Sequence, residues 1–443
     1  MMRTMSRRLW LKTAAVLAGA AAAPRAATAN GRVVMGIMGI KDRGWDLTLE
    51  FGRRDDVEIR YLADPDSRLF EERARKVEQL KGKRPQCVQD FRRMLDDKEV
   101  DAIAIATPDH WHALGTILAC QAGKDVYVEK PASHNIWEGR KMVEAARKYD
   151  RVVQVGTQNR SAEYVMKALE YVRSDQFGPV HFVRVVNSKL REPMKVEQDS
   201  ETPPGVDYDM WLGPAPLRKF NLNHFHYQWH WFWNYGGGDL ANDGVHQIDL
   251  ARWAINRTLP KAVTSTGAIY SLNDTRETPD TQTVTWEFDG VTVALEQVLW
   301  TPYMRKTPLE LRDTGAAPNW PFNGTRVEIY GEKRFMYLGR MGDGWAVYDE
   351  EGKQLFDERG TYRATGTAHA ANFIDCVKSR ERPNADIEDG HFSTLLAHYG
   401  NAAYRTGRRL HIDARTEGFL NDNEANGLYR RNYREPWNLP VRL

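Results

Sequence analysis

The stretch that decides the fold is Val33-Val34-Met35-Gly36-Ile37-Met38-Gly39-Ile40-Lys41-Asp42-Arg43-Gly44-Trp45. An apolar run feeds a glycine-punctuated turn and then a helical pattern, the strand, loop and helix that open a dinucleotide-binding unit. In such a loop the first glycine permits the tight turn, the second lets backbone approach a pyrophosphate, and the third packs helix against strand. Gly39 and Gly44 hold the first and third positions, while Lys41 holds the second. The lysine must either turn its side chain away or place its ammonium on a phosphate oxygen. Asp64, twenty residues beyond Gly44 and after the next predicted strand, stands where an acid accepts hydrogen bonds from a ribose diol. That carboxylate repels a 2′-phosphate, so NAD is the expected cofactor and NADP is disfavoured. The candidate contacts in the loop are Gly39, Ile40, Arg43 and Gly44.

Working outward, strand patterns at 33–37, 57–62, 100–106, 125–129 and 152–155 alternate with helical ones at 45–53, 67–80, 112–122 and 137–148. This rhythm predicts an α/β fold, a doubly wound parallel sheet of the Rossmann type. After residue 155 the rhythm changes. A helix at 161–174 and a strand at 180–187 precede a hairpin, 283–288 and 291–299, about Asp289-Gly290. Strands at 325–330 and 334–338 follow, and helices at 368–379 and 393–406 close the chain. These predict a C-terminal α+β domain with an open, mostly antiparallel sheet. The Pro- and aromatic-rich segment 192–235 reads as an extended surface-lining loop. The domains are placed at 30–155 and 156–443.

Residues 1–29 read as an export leader. Ser6-Arg7-Arg8-Leu9-Trp10-Leu11-Lys12 is a twin-arginine pattern, an alanine-rich stretch follows, and Ala27-Thr28-Ala29 offers a cut before Asn30. The expected location is therefore periplasmic or secreted, with no membrane span after cleavage. Loss of five leader cations takes the formal charge from +2 to −3, which leaves no basic block for nucleic acid. Three widely spaced cysteines argue against a disulfide framework. The 14 Trp and 18 Tyr suit ring-shaped ligands and a well-packed core alike.

Further along stand Ala106-Thr107-Pro108-Asp109-His110-Trp111-His112, then Glu129-Lys130-Pro131, then Gly236-Gly237-Gly238 leading into Gly244-Val245-His246-Gln247-Ile248-Asp249. In this order they resemble the glucose–fructose oxidoreductase, inositol dehydrogenase and rhizopine catabolism family, Gfo/Idh/MocA, over nearly the whole mature chain. The resemblance implies a Rossmann domain, a substrate domain with an open sheet, NAD(P), a carbohydrate or cyclitol substrate and a homo-oligomer. It also implies that Thr107, His112, Glu129, Lys130 and Gln158 lie against the cofactor, with Arg160 near cofactor and substrate, and that Lys130 and His246 belong to the catalytic group. Four residues before His246, where many members carry aspartate, this chain has Asn242, with Asp243 beside it.

Oxidation of a secondary alcohol needs a base within hydrogen-bond reach of the hydroxyl as hydride leaves carbon. Either Lys130 or His246 can take that proton, and His246 is favoured, with Lys130 as electrostatic partner. Asn242 cannot act as a base, but its amide can hold a sugar hydroxyl. On a helix 242 and 246 share a face, and Asp243 and Asp249 lie close enough to orient His246. The histidines of 224–230 are not completed by a well-spaced acid or cysteine, so aromatic walls for a sugar ring are expected there rather than a metal. The leading expectation is an exported NAD-dependent oxidoreductase acting on sugars or glycosides. Its alternatives are a hydrolase or lyase working by transient oxidation and elimination, and a sugar-binding protein without catalysis.

Overall fold

The computed structural model describes residues 31–440, so the leader lies outside the described residues. Six strands, β1 (Val33–Met38), β2 (Val57–Ala63), β3 (Gln86–Val88), β4 (Ala102–Ile105), β5 (Asp125–Val128) and β6 (Val153–Val155), form a parallel sheet. Their order is β3-β2-β1-β4-β5-β6. Helices cover both faces, so β4 and β5 are buried along their whole length and read as continuous apolar runs. The strand order reverses between β1 and β4, and the connections there diverge to leave a crevice at the carboxyl ends. Strand β3 has no counterpart in the predicted strands: three residues at a sheet edge carry no measurable period. The helix predicted over 67–80 is a 3-10 turn, Ser67–Leu69, followed by Phe70–Lys81, ending at Gly82 with φ 70°.

The second sheet has nine strands: β7 (Val180–Ser188), β8 (Ala262–Ala268), β9 (Thr281–Glu287), β10 (Thr292–Val298), β11 (Arg326–Gly331), β12 (Phe335–Gly339), β13 (Trp345–Tyr348), β14 (Gln354–Glu358) and β15 (Leu410–His411). Its order is β14-β13-β12-β11-β7-β10-β9-β8-β15. Every neighbouring pair is antiparallel except β7 with β10. Strand β14, Gln-Leu-Phe-Asp-Glu, buries no residue, which is why alternation does not reveal it.

Segment 192–235 is not an extended surface loop. It folds through short helical turns around its own aromatic cluster, in which Trp211, Phe220, Phe225, Trp231, Phe232 and Tyr235 are buried with Leu272 and Leu299. Irregular spacing of the rings conceals this from a search for period. Burial drives it none the less, at roughly 1.5–3 kcal/mol per large apolar side chain.

The last two long helices tie the halves together. Tyr362–Ser379 returns to the parallel sheet and lays Ala370, Phe373, Ile374 and Val377 against Phe51, Tyr127, Met35 and Ile37. Ile387–Thr406 packs on helices Ile136–Lys148 and Val245–Ile255, one from each half. Asp386 caps its start by accepting from Glu388 N, and Gly407 ends it with φ 66°.

Candidate active site

A cleft of about 290 Å³ begins at the carboxyl ends of β1, β2 and β4 and runs inward to the turn before helix Val245–Ile255. At its outer end Gly39 has φ +80°, and a Cβ there would lie 2.8 Å from Ala106 O. At Gly44 a Cβ would lie 1.8 Å from Gly39 O, so helix Asp42–Gly52 can start this close to the loop only with glycine. The helix N-terminus, with Lys41 as its N-cap and lining the cleft, suits an anion. The Asp64 carboxylate accepts from Ile40 N and from Asp66 N, each at 2.9 Å, which pins it at the end of β2. Burial pushes its carboxyl up to about 6, against the pull of those two bonds. These features fit a dinucleotide: an open backbone for the pyrophosphate and a fixed acid for a ribose. Ile40 is wholly buried, and neither it nor Gly44 is among the lining residues. They shape the loop from behind.

Arg43 Nε donates to Glu129 Oε1 at 2.8 Å, and Gln158 Nε2 donates to the same oxygen at 3.3 Å and to Tyr127 OH at 3.1 Å. Burial alone would raise the Glu129 carboxyl, but Arg43 and Lys130 outweigh it and hold the group below its ordinary range. The His112 ring spans two carbonyls, Pro131 O at 2.7 Å from Nδ1 and Thr107 O at 3.0 Å from Nε2. It thereby fixes the loop after β4 to the Glu129-Lys130-Pro131 segment after β5. Thr107, His112, Glu129, Lys130 and Gln158 all line the cleft. Arg160 does not: it is buried in an ion pair with Asp249, Nη2 to Oδ1 at 2.8 Å, and braces the second half.

At the inner end Lys130 Nζ donates to the Asn242 carbonyl at 3.0 Å and to Asn242 Oδ1 at 3.2 Å. Asn242 sits in a π-helical turn, Leu240–Gly244, that runs straight into helix Val245–Ile255. His246, 5 % exposed, also lines the cleft. Burial, then Arg340 and Lys130, hold its imidazole well below the usual histidine range, so the ring is neutral at pH 7. The expectation that Asp243 and Asp249 orient His246 fails. Asp249 is taken by Arg160 and by Ser393 Oγ at 2.6 Å, and Asp243 by a cluster of cations behind the site. His246 Nδ1 has no partner among the described residues.

Residues 36–157 match the family described as the GFO_IDH_MocA oxidoreductases, NAD-binding Rossmann fold, and residues 191–293 and 361–439 match its C-terminal alpha/beta domain. The chain belongs to the Gfo/Idh/MocA family. Residues 36–157 are thus an NAD-binding Rossmann domain. Over 366 residues it is 22 % identical to myo-inositol 2-dehydrogenase of Thermotoga maritima, covering 81 % of this chain and 92 % of that one. A shorter similarity, 27 % over 175 residues and 38 % of each chain, links it to a glycosyl hydrolase family 109 protein of Shewanella pealeana. Among solved structures, levoglucosan dehydrogenase in complex with NADH and levoglucosan superposes with a TM-score of 0.64 at 17 % identity, covering 86 % of this chain and 99 % of that one.

Within this family member, several lining residues were not legible in advance. Met210, Trp211, His226, Tyr227, Trp229 and His230 roof the cleft from segment 192–235, and Met341 and Tyr362 reach it from far along the chain. The aromatic run 224–231 carried a signal for the roof. Nothing local marks Met341 or Tyr362.

Proposed function

We propose that this chain is an exported oxidoreductase that moves hydride between a retained NAD and a secondary alcohol or ketone of a sugar or glycoside. The observation that carries the reading is one cleft with the dinucleotide loop at one end and Lys130, Asn242 and His246 together at the other. When bound, NAD supplies the hydride acceptor. Lys130 Nζ and the Asn242 amide hold the reacting oxygen and a neighbouring hydroxyl, and the neutral His246 imidazole accepts the proton. Because burial and nearby cations make its imidazolium more acidic than an ordinary histidine's, His246 returns that proton readily when the ketone of a second substrate is reduced.

The roof supports retention of the cofactor. Ser67 N and Gln89 Nε2 donate to Gly205 O at 2.9 and 3.1 Å, Asp207 N to Pro65 O at 2.9 Å, and Trp111 Nε1 to Trp211 O at 3.1 Å. The His226 ring meets the Asp66 carboxylate at 3.0 Å. Retention fits a periplasmic or secreted enzyme with no free nicotinamide pool, in which one sugar is oxidised and another reduced. The open face of the nine-stranded sheet, where Tyr330 lies against the rings of both Phe182 and Phe335, supports a homo-oligomer.

The test is to unfold the purified mature protein and weigh the released nucleotide, then supply a sugar to the intact protein and follow absorbance of the reduced cofactor. Near-stoichiometric NAD together with sugar-dependent reduction is expected, and an empty protein that also fails to take up NAD overturns the reading. The similarity to a glycosyl hydrolase family 109 protein favours a second reading, elimination of a glycosidic substituent after transient oxidation. Free aglycone without net redox change would select it.

A further inference from the structure

Directly behind Asn242 and His246 lies a cluster of charge that neither cofactor binding nor proton transfer uses. Asp239 and Asp243 are its carboxylates among the described residues, and both are buried. Around them stand Lys189, Arg191, Lys306 and Arg340. Lys189 bridges Asp239 and Asp243, the latter at 2.7 Å. Arg191 Nη2 lies 2.7 Å from Asp239 Oδ1, Arg340 Nη2 lies 2.9 Å from Asp243 Oδ1, and Lys306 Nζ contacts Asp243 Oδ2. The adjoining Arg312 and Asp343 pair with each other and leave the balance unchanged. Four basic side chains thus share two carboxylates: with all of them charged the cluster carries an excess of two positive charges, and burial and mutual crowding press the amines of Lys189 and Lys306 toward the neutral form.

Charges buried without a counterpart cost several kcal/mol each. Buried donors are also left over: Arg191 Nε and Arg340 Nε have no partner among the described residues, nor has His246 Nδ1. None of the four cations is itself a lining residue, but the cluster adjoins the cleft through the lining residues Tyr227, Asn242 and His246. Arg191 Nη1 donates at 3.0 Å to the hydroxyl of Tyr227, a lining residue, and Lys306 is the most exposed of the four cations, its side chain 34 % open. Crowding by Arg340, Lys189 and Arg191 adds to burial in making a charge on Lys306 costly.

We infer that the substrate is an anionic sugar whose acidic group, a carboxylate or a sulfate or phosphate ester, is seated by Lys306 and Arg191 while its carbinol lies at Lys130 and His246. This rests on the oxidoreductase reading for the position of the carbinol. The anion supplies the missing negative charge, and a neutral sugar leaves it uncompensated.

The test is calorimetric titration of the NAD-loaded protein with methyl glucoside, methyl glucuronide, glucose 6-sulfate and glucose 6-phosphate, with NAD reduction followed in parallel. At least one anionic sugar is expected to bind tenfold or more tightly than methyl glucoside, with an advantage that shrinks in high salt. The order of the three anions identifies which acidic group fits. Lys306→Gln should bring the ratio of anionic to neutral affinity close to one, while Lys306→Arg should keep it high and show that the loop still folds. Equal binding of neutral and anionic sugars, or a ratio unmoved by Lys306→Gln, overturns the inference and leaves the oxidoreductase reading standing. Selective, Lys306-dependent binding without any NAD reduction upholds the inference and overturns that reading. No binding of any of the four overturns the inference, while the oxidoreductase reading stands or falls on its own test of NAD content and sugar-dependent reduction.

Discussion

The two ends of the cleft are built in opposite ways. The outer end is backbone: a glycine with positive φ, a helix N-terminus, and an aspartate whose two oxygens are tied to main-chain N–H groups. The inner end is side chain: Lys130, Asn242 and His246, backed by Lys189, Arg191, Lys306 and Arg340, which come from three separate segments and pair with Asp239 and Asp243. Backbone recognition demands a shape that one or two residues can destroy. Recognition by side chains spreads over many positions, and each can be exchanged to retune chemistry without disturbing the sheet. A common cofactor and a variable substrate call for this division of labour.

The contrast can be broken from the inner end first. Lys130→Met removes the group proposed to hold the reacting oxygen, and kcat should fall about 10³-fold while NAD remains bound, as read by turnover beside nucleotide content. At the outer end, Gly44→Ala drives a methyl into Gly39 O, which should cost roughly 3 kcal/mol and empty the site of nucleotide. Thermal unfolding and released NAD measure both effects. Should Gly44→Ala keep its NAD, the loop is more pliable than a backbone site allows.

Asp64→Ala should weaken NAD about tenfold and narrow its advantage over NADP, because a charged acceptor is lost and the 2′-phosphate is no longer repelled. The pH profile sharpens the inner end. His246 is held well below 6.5 by burial and then by Arg340 and Lys130, and the proposed proton transfer uses its neutral form. On falling pH, kcat/KM should therefore stay flat through 6.5 and decline only below it. Lys306→Gln relieves one repulsion and should move that decline to higher pH. The smallest effect is expected at Lys41→Ala, where NAD affinity should drop about threefold if the ammonium meets a phosphate oxygen. No change would place that side chain away from the cofactor.

How much of this could be read beforehand follows from the same contrast. Val33–Gly44 and Asp64 are local, and their spacing alone points to the parallel sheet and its crevice. Lys130 and His246 are reached through motifs that resemble a family, with Asn242 in the same turn as His246. The partners of those residues could not be read. Asp243 and Asp249 stand at helical spacing from His246, yet cations brought by distant strands and loops claim both. Lys306 and Arg340 sit in unremarkable sequence, and only the folding of the second half, a loop carrying Lys306 and the turn at the end of β12 carrying Arg340, brings them beside Asp243. The roof escaped for a different reason, since its aromatic rings follow neither a helical nor a strand period.

The helix Tyr362–Ser379 has a practical consequence for anyone dividing this protein. A fragment stopped near residue 157 holds the whole parallel sheet and the dinucleotide loop, yet it lacks Phe373, Ile374 and Val377, which cover Phe51 and Tyr127. Such a piece would present a greasy face to solvent and clump rather than report on nucleotide affinity. A usable minimal version must carry that helix back, grafted through a linker, because the first domain of the chain is finished by a helix from its last hundred residues.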